Sequence, residues 1–238
     1  MVAMKRIGVL GGISAQATMD FEARVHRWAQ RLAPQQWNDG YPPMVVWYHR
    51  GMPVRIGADG RPLLPMELDP GLADGAAWLG RAADFLVIPC NTAHIGLAEI
   101  AKAAGCPVLS MVDVTLDEVA RRRCRRVGVT GFSAASPLYL EPLRARGVHC
   151  ETVDATAQAH LDAGIRAVAE GRDDEPDTAA TLAIVNGLRA RPTDGVILGC
   201  TEIPLLLRDA AEAPDLINPA ALLAEAAVRL AIGTPVPA

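Results

Sequence analysis

Apolar residues along this chain fall into short runs of four to six. Between them lie Ala- and Leu-rich stretches with helical spacing, as in "EIAKAAG", "LDAGIRAVAEG" and "ATLAIVNGLRA". A run that is apolar at every position predicts a strand buried on both faces, which is what a parallel sheet covered by helices requires. The pattern also occurs twice. "RIGVLGGISA" from Arg6 resembles "RVGVTGFSAA" from Arg126, each a strand signal ending in Gly and small residues. "ADFLVIPCNTAHIGL" from Ala83 resembles "TDGVILGCTEIPLLL" from Thr193, and "CPVLSMVDVTLDEVA" from Cys106 matches "PDLINPAALLAEAAV" from Pro214 more loosely. Repetition at an offset of roughly 110 to 120 residues predicts two halves of one design, each of ordinary domain size. The expected fold is therefore α/β, with two similar doubly wound domains related by a pseudo-two-fold and mainly parallel sheets. The first domain is read as residues 1–113 plus 218–238, and the second as 114–217. Tyr48 to Pro65, rich in Gly, Pro and Arg and without periodicity, reads as a long loop of the kind that often carries function.

Composition narrows the classes. The 238 residues are 50% hydrophobic and 21% charged, with a formal charge of −4, enough for one or two full cores and inconsistent with disorder. No run approaches the ~18 apolar residues of a membrane helix, and "MVAMKRIGVLGG" lacks the features of a signal peptide, so a cytoplasmic location without membrane association is expected. The mild negative charge argues against nucleic acid as a partner. Five cysteines without regular short spacing argue against a disulfide framework.

Cys90 and Cys200 each stand where an apolar run ends and a polar triplet begins. In open α/β sheets ligands bind beyond the carboxyl ends of the strands, where the following helix presents its N-terminus. An exposed thiol placed there meets the positive helix end and backbone N–H groups, which favour thiolate. If the halves face each other across a cleft, that cleft is the active site and one substrate carbon has a thiol on either side. Such a pair can invert a stereocentre without a cofactor, one group removing the Cα proton and the other delivering a proton to the opposite face.

"GVLGGISAQAT", "PCNTAH" and "LGCTEI", in this order and spacing, resemble the aspartate/glutamate racemase family, whose members are pyridoxal-phosphate-independent enzymes of two similar α/β domains. The resemblance covers nearly the whole chain. It implies an amino-acid racemase acting on aspartate or glutamate, with Cys90 and Cys200 as the two bases. Asn91, Thr92, Thr201 and Glu202 would line the substrate site, Gly12 and Ser14 would contact the substrate, and Arg55 of "MPVRIG" looks like the arginine of the family's "P-D-R-T" loop. The residue chemistry suits these roles. Asn91 and the hydroxyls of Thr92 and Thr201 can bond a carboxylate or amino group, and Arg55 can hold a carboxylate by two parallel bonds. Glu202 can accept from a substrate ammonium or hold a neighbouring donor, and the sequence leaves both roles open. No cofactor and no metal are expected. The expected partners are a small amino-acid substrate and a second copy of the chain, as a homodimer.

The chain departs from the family pattern in three places. The turn "GFSAASP" offers only Ser133 and Ser136 as hydroxyls, with Phe132 and Ala134 beside them; Val54 and Asn218 stand where an aspartate is frequent. These bear on side-chain specificity and leave the cysteine motifs intact. Cys106, Cys124 and Cys150 lack the strand-end context and read as structural. His94, four residues after Cys90, is placed to bond a carbonyl or support the site. "GVLGGISA" matches no phosphate-binding fingerprint, and "RRRCRR" reads as a solvated helix end. Two other readings are a decarboxylase or cis–trans isomerase of the same superfamily, and a metal protein using Cys90, His94, Cys200 and Glu202, whose spacing fits no standard site.

Overall fold

The computed structural model describes residues 4–37, 39–58, 63–133, 137–172 and 175–235. The chain divides into two compact units, Met1–Met111 with Ala220–Ala238, and Val112–Pro219.

In the first unit β1 (Ile7–Gly11) leads into α1 (Ala15–Leu32). β2 (Met44–Tyr48), α2 (Pro70–Leu79), β3 (Phe85–Val87), α3 (Leu97–Ala104) and β4 (Val108–Leu109) follow. The strands pair in the order β2-β1-β3-β4, all parallel. β1 and β3 are buried at every position, as their uniformly apolar runs predict. Leu10, Leu72, Leu79, Leu86, Ile88 and Ile100 form the core that joins this sheet to α2 and α3. Each such side chain contributes roughly 1.5–3 kcal/mol when removed from water.

After α4 (Met111–Arg121) the second unit repeats the scheme with β5 (Arg126–Gly131), α5 (Pro137–Ala145), β6 (His149–Glu151), α6 (Ala155–Ala169), α7 (Glu175–Arg189), β7 (Gly195–Gly199), α8 (Ile203–Leu207) and β8 (Leu216–Ile217). Its order, β6-β5-β7-β8, again parallel, is that of the first sheet. α9 (Pro219–Ile232) then returns the chain to the first unit, where the Lys5 N–H donates to the Ala231 carbonyl at 2.9 Å. The expected α/β fold with parallel sheets is the fold observed. Within the Tyr48–Pro65 segment the chain is not wholly irregular, because Val54 makes an antiparallel bridge with Leu68. Among the described residues no helix is long and apolar enough to cross a membrane.

The duplication reaches the point where each sheet begins. Asp84, just before β3, accepts the Arg6 N–H at 2.6 Å and returns its own N–H to the Arg6 carbonyl at 3.0 Å. Asp194, just before β7, accepts the N–H groups of Arg125 and Arg126 at 2.7 and 2.9 Å and donates to the Arg126 carbonyl at 2.7 Å. These backbone donors hold both carboxyls below the usual aspartate range. A lowered folded-state value means that the stabilisation is complete above the unfolded value of about 4 and is lost as pH falls through the folded one. Asp194→Asn is therefore expected to unfold at lower urea concentration than the parent protein at neutral pH. The gap should close as the pH drops below about 4, and a gap that persists in acid would contradict the clasp.

Candidate active site

The strand order reverses direction between β1 and β3, and between β5 and β7. This is where open parallel sheets leave a crevice at their carboxyl ends. In the first unit the last pair of β1 with β3 is Val9 with Val87, and Gly12 and Cys90 each lie three residues further on, beyond that edge. In the second unit the last pair is Gly131 with Gly199, and Cys200 is the next residue.

Gly12 has φ +78°, and a Cβ there would lie 2.5 Å from the Tyr48 Cα, so no other residue fits this turn. Its N–H donates to the Thr18 hydroxyl at 2.8 Å, and Thr18 in turn donates to the Ser14 carbonyl at 2.8 Å. Ser14 is the N-cap of α1, its Oγ accepting from the Ala17 N–H at 3.4 Å. The buried Thr18 is thus the residue that shapes the turn. The sequence reading passed over it because it lies inside an ordinary helical pattern.

Cys90 is half-buried, with its N–H bonded to the Ile88 carbonyl. Asn91 is buried and Thr92 opens a single 3-10 turn, Thr92–Gly96. His94 is buried, with Nδ1 2.9 Å from the Cys90 carbonyl and Nε2 3.0 Å from the Met111 nitrogen. A backbone N–H can only donate, so Nε2 is the acceptor, Nδ1 carries the proton, and the ring is neutral in this arrangement. It braces the carbonyl of Cys90 against the first residue of α4. The spacing of His94 from Cys90 is readable in the sequence. Its second partner, 17 residues further on, is not.

Arg55 stands apart from this edge. Its guanidinium is 2.8 Å from Glu67, and both side chains are more than half exposed. With Leu68, Ile95 and Glu99 the pair borders an open groove of about 540 Å³ that reaches the turn after Cys90. His49 was also missed, although it ends the apolar strand β2 much as the cysteines end theirs. Its N–H donates to the Gly11 carbonyl at 2.8 Å, and its Nε2 lies 3.6 Å from Asp69 Oδ1.

In the second unit Gly199 is required because a Cβ there would lie 2.4 Å from the Thr130 carbonyl oxygen and 3.3 Å from the Tyr139 ring. Cys200 is buried, which corrects the expectation of an exposed thiol. Its Sγ donates to Glu202 Oε2 at 2.9 Å, and the Thr201 hydroxyl donates to the same oxygen at 3.1 Å. Of the two roles left open for Glu202, this geometry displays the holding of neighbouring donors. Burial pushes the Tyr139 phenol up, so it stays neutral, and it shares a hydrogen bond with Thr115. After β5, the Gly131 carbonyl accepts from Gln158 at 2.9 Å and the N–H of the exposed Ser133 donates to Asp162 at 3.0 Å. Ala134 and Ser136 lie outside the described residues.

The helical segments behind the two cysteines are short. A five-residue 3-10 turn follows Cys90, and the five-residue α8 follows Cys200. The dipole available is therefore that of about one turn. Burial pushes the Cys106, Cys124 and Cys150 thiols up from the ordinary cysteine value. Among the described residues no group of three or more His, Cys, Asp or Glu side chains is placed to hold a metal ion.

A sequence profile described as Asp/Glu/Hydantoin racemase matches residues 10–227. The chain is 27% identical over 224 residues to the broad specificity amino-acid racemase RacX of Bacillus subtilis (strain 168), covering 93% of this chain and 96% of that protein. Its fold is similar to that of the Picrophilus torridus aspartate racemase, with TM-score 0.78 and 21% identity over 98% of this chain and 96% of the other. An aspartate racemase homologue from Pyrococcus horikoshii OT3 has TM-score 0.74 and 21% identity, over 96% of this chain and 100% of the other.

His94→Ala removes the ring from both the Cys90 carbonyl and the Met111 N–H. An unmade buried hydrogen bond costs roughly 1–3 kcal/mol, so a loss of about 2 kcal/mol or more is expected in urea unfolding. His94→Asn, which can restore one of the two bonds, should recover part of it. An Ala variant as stable as its parent would remove the bracing role.

Proposed function

Because the chain belongs to the Asp/Glu/Hydantoin racemase family, we propose that it is a cofactor-independent amino-acid racemase using Cys90 and Cys200 as a two-base pair. The observation that carries this reading is the equivalence of the two cysteines. Each leaves the sheet of its own unit at the carboxyl edge, beside the strand order reversal, in sheets of identical order. One thiolate takes the Cα proton and its electron pair forms the new S–H bond, leaving a planar carbanion. The other thiol gives its proton to the opposite face. The roles exchange with the enantiomer, and the chemistry calls for neither pyridoxal phosphate nor metal. Asn91, Thr92 and Ser133 are suited to the substrate's carboxylate. Thr201, whose hydroxyl proton goes to Glu202, is left with lone pairs for the ammonium. A reducing cytoplasm keeps both thiols active.

Aspartate or glutamate is the proposed substrate, with Arg55 exchanging Glu67 for the side-chain carboxylate. A broader range is the second reading, favoured by the ion pair that already engages Arg55 and by the similarity to a racemase described as broad in specificity.

Cys90→Ala and Cys200→Ala should each lower two-way racemisation by about 10²–10⁴-fold or more, as loss of a positioned acid or base does. Cys→Ser should be nearly as damaging, all read by chiral separation. Retention of most activity in Cys200→Ala would overturn the two-base reading.

Arg55→Lys, assayed on aspartate, glutamate, methionine and alanine, separates the two substrate readings. If Arg55 grips a side-chain carboxylate, the acidic substrates should lose about one to two powers of ten while the neutral ones do not. An equal loss on all four removes Arg55 from side-chain recognition.

A further inference from the structure

The second cysteine has a carboxylate for a neighbour, and the arrangement is built. Cys200, Thr201 and Glu202 are each more than nine-tenths buried, and the Sγ and the Thr201 Oγ1 converge on the single Glu202 oxygen at 2.9 and 3.1 Å. An ionised carboxylate only accepts hydrogen bonds, so both neighbours must donate to it, and Cys200 can do so only as the thiol. We propose that Glu202 is a positioning residue that keeps the transferable proton on Cys200, so that the free protein holds Cys200 as the acid. The inference rests on the two-cysteine reading above.

The opposite state would set two negative charges against each other. A thiolate at Sγ would place its charge 2.9 Å from the Glu202 oxygen, where water is largely excluded and like charges repel strongly. Tyr139 of α5, which is electrostatically coupled to Cys200, is kept neutral by its burial. Leu161, Ile165 and Leu198 complete an apolar wall. The Thr201 hydroxyl holds the carboxylate where it meets the thiol. When Cys200 acts, its S–H bond breaks, the proton joins the carbanion at Cα, and the electron pair stays on sulfur against the carboxylate. The resting arrangement returns when sulfur takes a proton from the next substrate of opposite hand, or from water.

Steady-state rates conceal this asymmetry. The two enantiomers of a substrate have equal free energy in water, so kcat/KM must be the same in both directions whatever the enzyme's resting state. The thiols themselves must be read. The full-length protein, without substrate, is treated with iodoacetamide at about pH 7, where the thiolate is the reacting form. The rate at each cysteine is followed by mass analysis of its peptides. Glu202→Gln removes the charge and keeps the size, and its amide can donate to a thiolate. Cys200 is expected to label about tenfold faster or more than in the parent protein, the effect of displacing a thiol titration by one unit or more. Cys90, in the other unit, serves as the reference for correct folding and should label at its parental rate. Unchanged labelling of Cys200 overturns the proposal, as does slower labelling, which would mark Glu202 as the base that draws the proton off the thiol. If the Gln variant does not fold, Glu202→Asp carries the same test: a withdrawn carboxylate should speed Cys200, and an equal or slower rate overturns the idea. Failure of the racemase reading would appear separately, as an amino-acid panel without turnover, and would leave the labelling result standing.

Discussion

A parallel strand covered by helices on both faces has no place for a reactive polar side chain along its length. β1, β3, β5 and β7 obey this: past the partly exposed Arg126 that opens β5, they offer only apolar side chains, glycine and one threonine, Thr130, whose hydroxyl is spent on the Ile197 carbonyl of the neighbouring strand. Chemistry can begin only where a strand ends. Gly12, Cys90 and Cys200 stand at such ends because the strands before them are fully buried. Glycine is required at the ends, at Gly12 and Gly199, because neighbouring backbone comes within 2.5 Å of where a Cβ would lie. Burial of the sheets therefore sets the position of the cysteines more strictly than any local feature of their own loops.

Repetition of the strand order gives two such ends, and the repetition is faithful in what stabilises the fold. Strand order and parallel pairing agree in the two units, and so does the aspartate clasp before the third strand of each. It is unfaithful in what surrounds the thiols. Beside Cys90 stands a neutral imidazole that fixes the backbone carbonyl, and beside Cys200 a carboxylate that meets the sulfur itself. Proton transfer at one carbon needs two groups of matched strength and opposite protonation. A symmetric scaffold with asymmetric neighbours is one way to hold them in opposite states.

The strands, their parallel arrangement and the two cysteine motifs were legible because each depends on a local pattern: uniform apolarity, a terminal glycine, a polar triplet. Features that depend on distant partners were not. His94 could be placed one turn from Cys90, but its bond to Met111 follows from how α4 begins. Ser14 reads as a ligand contact by motif and as a helix cap by geometry, since its Oγ is turned to the Ala17 N–H. Arg55 sits in a segment without periodicity, and its engagement by Glu67 depends on the bridge between Val54 and Leu68 that brings the two together. The helices behind the cysteines are shorter than their apolar content suggests. Gly96 interrupts one, and Arg208 closes the other with φ 52°.

Isotope exchange during the first stage of turnover tests the two-base account most directly. One enantiomer of an accepted amino acid is incubated with the protein in heavy water and sampled while little has reacted, and the enantiomers are separated and weighed. Two bases exchange their protons with solvent independently. The newly formed enantiomer should therefore carry deuterium at Cα while the unreacted one keeps its hydrogen. Product that retains the original hydrogen, or substrate that fills with deuterium as fast as product forms, would show a single base serving both faces and would contradict the account.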